Sequence, residues 1–428
     1  MPHVMKADLL IANGRVVTTR GFSESPQVGA QLGEVEELAP GFVLIGEGRI
    51  LLVTGDYSLA RDFIGPDTRE LDACGRLVMP GFVDCHTHLS FAGWRENEFA
   101  MRLAGVPYLE ILASGGGILS TVRRTRAATE TELLDYTLAA LDAMLLHGTT
   151  TVEAKSGYGL TTADELKQLR VLKEAKRRHP VAVVATFMGA HALPPEYSGN
   201  RAGYVQLVIE EMLPRVAEEG LAEFCDAFCE DKAFTLAETR AILSAAHRHK
   251  LGLRVHADEI TPLGGAGLAA ELGAVSAEHL IHASRAHLEL MAKSGTVAVL
   301  LPATAFLLRS EKKAPVKDMV ELGVPVAVAT DFNPGTSPLA NMQLLQTFAC
   351  IHYGLTPRQA FAASTINAAH ALRRGATTGS LEAGKQADVL ILDAPSLEFV
   401  PYHLGVNLVH TVVRGGHIVV TKGALCYG

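Results

Sequence analysis

The stretch PGFVDCHTHLSFAGWREN, residues 80–97, runs an apolar segment into two histidines one residue apart and then into Trp94 and Arg95. The pair alone says little, because 17 histidines in 428 residues give about 0.7 His-x-His pairs by chance. Its position says more. Residues 82–88 read as a strand, and a spacing of two puts His86 and His88 on one face at its C-terminal end, where they can converge on one ion. A second pair, His247 and His249 in SAAHRHKLG, ends a helical stretch beside Lys250. The helix dipole favours solvated imidazoles there, so that pair is read as a surface feature.

Outward from residues 80–97 the same grammar recurs. FVDCHTH, TTTVEAKS, VVATFMGAH, EFCDAFCE, GLRVHADE, AVSAEHLI, TVAVLLP and VAVATD are short apolar runs. Between them lie amphipathic stretches such as ETELLDYTLAALDAMLLHG, TADELKQLRVLKEAKRRH, VQLVIEEMLPRVAEE and LAETRAILSAAHRHK. Eight βα units over roughly 300 residues are what a (β/α)8 barrel requires, whereas an open doubly wound sheet carries fewer strands. Both flanks differ in texture. DLLIANGRVVT, FVLIGEGRILLVT and ELDACGRLVM before the barrel, and ADVLILDAP and NLVHTVVRGGHIVV after it, read as strands with glycine turns, and no helix fits the first 80 residues. Neither set closes a sandwich alone, so the two ends of the chain are expected to share one small β-sandwich domain. Its expected limits are residues 1–79 and 379–428, with the α/β barrel at 80–378. Residues 21–41, rich in Gly, Glu and Ser, are expected to form an exposed, inserted loop.

Composition narrows the function. A chain of 428 residues, 48% hydrophobic, can bury a large core. The net charge of −8 supplies no basic field, which argues against a nucleic-acid partner. Apolar runs are too short to span a membrane, and the N-terminus runs into strand-like alternation without the regions of an export signal. The scattered cysteines (Cys74, Cys85, Cys225, Cys229, Cys350 and Cys426) lack the density of a disulfide scaffold and fit a reducing cytoplasm. Cys225 and Cys229, four apart on one strand, are read as small core residues rather than as a metal knuckle. Small-molecule chemistry remains.

In a barrel of this kind the active site lies at the C-terminal ends of the strands. Those ends carry His86 and His88, then His191 after TFMGA, His256 and Glu259 in RVHADE, His279 in SAEHL and Asp331 after VAVAT. A lone histidine is more often a satisfied core or rim residue. Ligand-type residues at five separate strand ends point instead to a shared metal site. Arg95, seven residues beyond His88, carries a fork suited to a carboxylate. SGGGILSTVRRTR lacks the P-loop lysine and is not read as a phosphate cradle.

The constellation resembles the amidohydrolase superfamily. Within it, DCHTHLSFAGWRENEFAMRLAGVPYLEI, SGGGILSTVRRTR, EAKSGYGL, FMGAHALPPEY, CDAFCE, VHADE and DFNPGTSP are similar to the imidazolonepropionase family. The resemblance implies hydrolysis of 4-imidazolone-5-propanoate to N-formimidoyl-L-glutamate in histidine degradation. It implies one divalent ion, zinc or iron, on His86, His88, His256 and Asp331. Binuclear members add a bridging lysine on the fourth strand, which EFCDAFCE lacks, Lys232 lying beyond it. By the same resemblance Glu259 is the acid and base, His279 contacts the substrate or its oxyanion, and Asp331 also holds the attacking water. Arg95, Tyr158, His191, Glu259, Asn333, Gly335 and Thr336 line the substrate, and the chain forms a homodimer. Two rival readings remain: a mononuclear metal deaminase of a cyclic amidine, purine or pyrimidine, and a metal-free scaffold barrel.

Overall fold

A computed structural model describes residues 5–106, 110 and 115–427. Residues 107–109 and 111–114, which fall within GVPYLEI and at the start of SGGG, lie outside the described residues. Eight parallel strands, each bonded to the next in chain order, make up the barrel among the described residues. They are β1 (Phe82–Asp84), β2 (Thr149–Lys155), β3 (Ala182–Ala190), β4 (Phe224–Cys229), β5 (Gly252–Ala257), β6 (Ser276–His279), β7 (Val297–Leu300) and β8 (Val326–Val328). Seven lie inside the apolar runs, and β3 starts one residue before its run. Helices cover the outer face and side chains fill the inner one, so the strands are buried on both sides and carry apolar runs without alternation.

The ring closes just past the ends of β1 and β8. Thr87 bridges Phe332 in parallel register. The Asp331 amide donates to the His86 carbonyl at 3.0 Å, and the His88 amide to the Phe332 carbonyl at 2.9 Å. One layer below, the Asp84 carboxylate accepts from the Thr330 amide at 3.0 Å and from its hydroxyl at 2.5 Å. Burial pushes the Asp84 carboxyl up to about 7.

Helix starts follow their sequence signals. Thr129 with Glu132 and Thr235 with Glu238 form reciprocal capping boxes on Glu130–Leu146 and Leu236–Arg248, each satisfying amides that no helical turn can reach. VQLVIEEMLPRVAEE does not form one regular helix. It is Arg201–Leu207, a wide π turn over Val208–Met212, and Leu213–Glu218. Pro214 supplies no amide to the preceding turn and crowds its carbonyl, so the turn opens there.

The flanking strands form one mixed sheet, nine-stranded among the described residues. Its two halves meet where Leu77–Pro80, running parallel to Leu9–Thr18, pairs antiparallel with Val389–Leu392. The sheet curls over a shared core that joins Ile11, Val43, Ile50 and Val78 to Val389, Ile391 and Val413. Its edge returns to the other arm, the Ile50 amide donating to Lys385 and the Ala387 amide to Gly48, both at 2.9 Å. Two expectations about the N-terminal part are corrected. A short helix, Tyr57–Arg61, is started by Asp56, which accepts from the Ser58 amide; five residues are too few to show a helical period. Residues 36–41 belong to the strand Glu36–Gly46 rather than to a loop. The segment before it is anchored, because the buried Gln27 donates its amide to Asn367 Oδ1 at 2.8 Å and its side chain to the Glu34 carbonyl at 2.7 Å. Its polar groups bond to protein, and so its composition looked like that of a solvated loop. Among the described residues no helix is long and apolar enough to cross a membrane.

The closure can be tested directly. Thr330→Val keeps the shape but strips Asp84 of its short hydroxyl bond, leaving a buried oxygen unsatisfied. The expected cost is about 1–3 kcal/mol, read as a fall of a few degrees in Tm by calorimetry. An unchanged Tm would remove the seam from the account.

Candidate metal centre and substrate cleft

Three spacings define the centre. His88 Nε2 lies 3.4 Å from His256 Nε2, and Asp331 Oδ1 lies 3.5 Å from both His86 Nε2 and His88 Nε2. Tetrahedral ligands at zinc-type bond lengths of 2.0–2.1 Å stand about 3.4 Å apart. Those pairs stand at the spacing of neighbouring ligands, and His86, His88 and Asp331 hold atoms within 4.8 Å of one another, a group that could hold a metal ion. His86, His256 and His279 also hold nitrogens within 4.8 Å of one another.

The donor chemistry agrees with the spacing. Both ring nitrogens of His86 are buried without a hydrogen-bond partner, as is Nδ1 of His88, a costly arrangement unless something else accepts their lone pairs. Burial, and after it the Lys155 charge, holds His86 well below the ordinary imidazole range; burial and His191 do the same for His88. Neutral imidazoles are the form that binds metal. His256 is oriented from behind, its Nδ1 lying 3.0 Å from Asp226 on β4, which turns Nε2 toward the centre. Thr304 donates to Asp331 Oδ2 at 2.7 Å, leaving Oδ1 to face the histidines.

Beneath the centre lies a group of buried charges to which sequence reading gave no role. Lys155, at the end of β2, sits 2.8 Å from Glu153 and 3.1 Å from Asp226. Arg254 on β5 pairs with Glu278 on β6 at 2.9 Å and donates to the Cys85 carbonyl at 2.7 Å. TTTVEAKS and GLRVHADE did carry a signal, since charges within strands buried on both faces need partners in the barrel interior.

Around the mouth stand the remaining expected residues. Glu259 Oε2 lies 3.5 Å from His279 Nε2. Burial, reinforced by the Asp331 carboxylate, pushes the Glu259 carboxyl up to about 8. The His191 ring stacks on His88 with centroids 4.8 Å apart, and its Nδ1 meets the Gly157 carbonyl at 2.9 Å. Tyr158 lies 5.3 Å from His191 and 5.9 Å from His88, ring to ring. Arg95 passes over Gly335 so closely that a Cβ there would fall 1.3 Å from its Nη2, so any larger residue would displace the guanidinium. Its Nε is buried without a hydrogen bond and lies 4.0 Å from Glu98. Glu98 in turn accepts from the Gly117 amide at 2.8 Å. Asn333 is committed to its own turn: Oδ1 accepts from the Gly335 and Thr336 amides, and Nδ2 donates to the Asp331 carbonyl at 2.7 Å. It holds Gly335 and Thr336 at the rim instead of offering free groups of its own. Elsewhere, Cys225 and Cys229 pack in the apolar core, and His247 and His249 sit at the end of the helix Leu236–Arg248, in no metal-type cluster among the described residues.

Residues 77–419 match the amidohydrolase family. The chain is 52% identical over 417 residues to the imidazolonepropionase of Symbiobacterium thermophilum, covering 97% of each chain. It is 50% identical over 414 residues to that of Shouchella clausii, covering 96% of this chain and 92% of the relative. The chain belongs to the amidohydrolase family, among the imidazolonepropionases. Its fold is shared with an Escherichia coli guanine deaminase, with TM-score 0.72, 16% identity, and coverage of 98% of this chain and 100% of that one. A zinc-bound adenosine deaminase from Xanthomonas campestris gives TM-score 0.70 and 21% identity, with 99% and 95% covered. At those identities the likeness is one of fold alone.

Proposed function

We infer that this chain hydrolyses the imidazolone ring of 4-imidazolone-5-propanoate, giving N-formimidoyl-L-glutamate. The observation that carries the reading is 52% identity over 97% of both chains to an imidazolonepropionase. A barrel with unpartnered, neutral histidines at its mouth and an arginine beside them accords with it. Chemistry belongs to residues 80–378 on this reading, with 1–79 and 379–428 as the flanking β domain. The unpaired cysteines suit a reducing cytoplasm, and the family likeness carries a homodimer.

His86, His88, His256 and Asp331 would hold one divalent ion, zinc or iron. Lys155 already neutralises Asp226 and Glu153 beneath them. When bound, such an ion polarises a carbonyl oxygen and lowers the pKa of water toward 7. This chain's own groups do the rest. Arg95 receives the propanoate through its guanidinium fork. Tyr158 and His191 wall the ring, and the Gly335–Thr336 rim, shaped by Asn333, closes its far side. Water adds to the C4 carbonyl of the ring while Glu259, whose buried carboxyl exchanges protons near neutrality, takes its proton. His279, held neutral by burial and by the neighbouring His256, donates toward the developing oxyanion. As the C4–N3 bond breaks, Glu259 returns the proton to N3, which leaves as the terminal nitrogen of the formimidoyl group. One water is consumed and no ammonia is released.

Metal analysis separates ligand from proton carrier. Purified protein should hold about one zinc or iron per chain, and Glu259→Gln should keep it while losing roughly 10²-fold or more in kcat. Two tightly held ions, or loss of the ion on that substitution, would contradict the assignment.

Substrate choice is tested by offering freshly prepared imidazolonepropanoate beside guanine and cytosine, with product mass and ammonia followed together. The imidazolone's near-ultraviolet absorbance should fall as formimidoylglutamate appears, with no early ammonia. Ammonia from either base, with the imidazolone decaying only spontaneously, would install the deaminase.

A further inference from the structure

The loop Ser156–Gly157–Tyr158–Gly159–Leu160 leaves β2 and carries Tyr158 to the mouth of the barrel, where the centre's own ligands do not hold it. Its backbone is gripped from below by two side chains of the following helix, Thr162–Arg178. Glu165 Oε2 accepts from the Gly157 amide at 3.0 Å, and Oε1 accepts from the Gly159 and Leu160 amides at 2.9 and 2.7 Å. Gln168 Oε1 accepts from the Tyr158 amide at 3.1 Å. Four consecutive amides thus end on two side chains, both wholly buried.

The grip reaches further. Gln168 Nε2 donates to the carbonyl of Ser90, two residues beyond His88, and so ties the Tyr158 loop to the His-x-His loop. The Gly157 carbonyl, whose peptide group lies between residues 157 and 158, receives His191 Nδ1 at 2.9 Å. Arg126 Nε donates to the Gly159 carbonyl at 2.6 Å. Glu165 lies buried among backbone amides and the Ser156 hydroxyl and forms no ion pair among the described residues. A carboxylate so placed is costly unless every lone pair is directed at a donor. An apolar residue would fill the space at less cost, but it would leave three amides unsatisfied and the loop free to turn.

We propose that Glu165, seconded by Gln168, is a positioning residue of the reaction: it fixes the Gly157–Leu160 peptides and through them sets Tyr158 and the His191 ring against the substrate. The proposal rests on the functional reading above for its substrate. Glutamate is needed because both oxygens must accept. In Glu165→Gln one of them becomes an NH2 group facing an N–H donor, and the 156–157 peptide, which carries the Gly157 amide, must rotate or separate. Because the carbonyl of Gly157 itself, in the next peptide, holds His191, the disturbance passes through the Gly157 Cα and reaches a ring stacked on His88 without touching any metal-ligand side chain.

The test compares wild type, Glu165→Gln and Glu165→Asp at a temperature well below the lowest Tm. Glu165→Gln should keep its ion and its circular-dichroism spectrum but lose tenfold or more in kcat/KM for imidazolonepropanoate, chiefly through KM. Glu165→Asp, which keeps a carboxylate, should recover part of the loss. A lower Tm with unchanged kcat/KM would make Glu165 a structural brace and overturn the proposal. Should Glu165→Gln fail to fold, Gln168→Met, which frees only the Tyr158 amide and the Ser90 carbonyl, carries the same kinetic comparison. A wild type inactive on the imidazolone would sink the functional reading by itself. The positioning claim would then be read from ¹⁵N-histidine spectra, with the His191 signals assigned using His191→Asn. His191 should stay fixed as the Nδ1-protonated tautomer in wild type and average between tautomers in Glu165→Gln. One fixed tautomer in both would refute it.

Discussion

The hydrogen bond from the Asp331 amide to the His86 carbonyl, 3.0 Å long, joins the last turn of the barrel to the first. The candidate metal centre depends on that seam. His86 and His88 come from one end of the barrel's strand order and Asp331 from the other, about 245 residues later in the chain. They converge because parallel strands of a closed barrel all finish at the same face. His256 enters from the opposite wall, and the candidate ligand pairs His88–His256, His86–Asp331 and His88–Asp331 stand 3.4–3.5 Å apart. The backbone bears some strain there: His279 and Asp331 have φ of 67° and 53°, a left-handed conformation that non-glycine residues adopt at a cost of about 1–2 kcal/mol. The seam and the buried charges below it hold them in that state.

Those charges bear on the imidazoles above them: the Lys155 charge adds to burial in lowering His86, while Asp226, against burial, raises His256. Lys155 and Arg254 offset Glu153, Asp226 and Glu278 within the barrel interior, where removing one partner would strand a charge. The order in space runs from the charges to the centre. Lys155 holds Asp226, Asp226 holds His256 Nδ1, and His256 turns Nε2 to the centre. The substrate wall repeats the logic with backbone amides in place of cations, Glu165 and Gln168 holding the loop that presents Tyr158.

Much of this was legible in the sequence. Each strand of the barrel coincided with a named apolar run to within one residue, because strands buried on both faces leave compact, largely apolar runs. His86, His88, His256, Glu259, His279 and Asp331 were visible for the same reason. What escaped was longer in range or shorter in length. Lys155 and Asp226 pair across two strands 71 residues apart in sequence, and Glu165 acts from inside a helix whose buried face is otherwise mostly apolar. The Tyr57–Arg61 turn lacked the length to show a period. Asn333 was legible as a rim residue, but its commitment to its own turn is a matter of geometry that no motif records.

The central claim is that water enters at the ring carbonyl and breaks the adjoining C–N bond. Hydrolysis in H2¹⁸O, with the product's carboxyl groups resolved by fragment mass spectrometry, tests it most directly. The account predicts one ¹⁸O per turnover, in the α-carboxylate that was C4 of the ring, with the formimidoyl group and the side-chain carboxylate unlabelled. Label on the one-carbon unit, as attack at C2 would leave it, or release of ring nitrogen as ammonia, would contradict it.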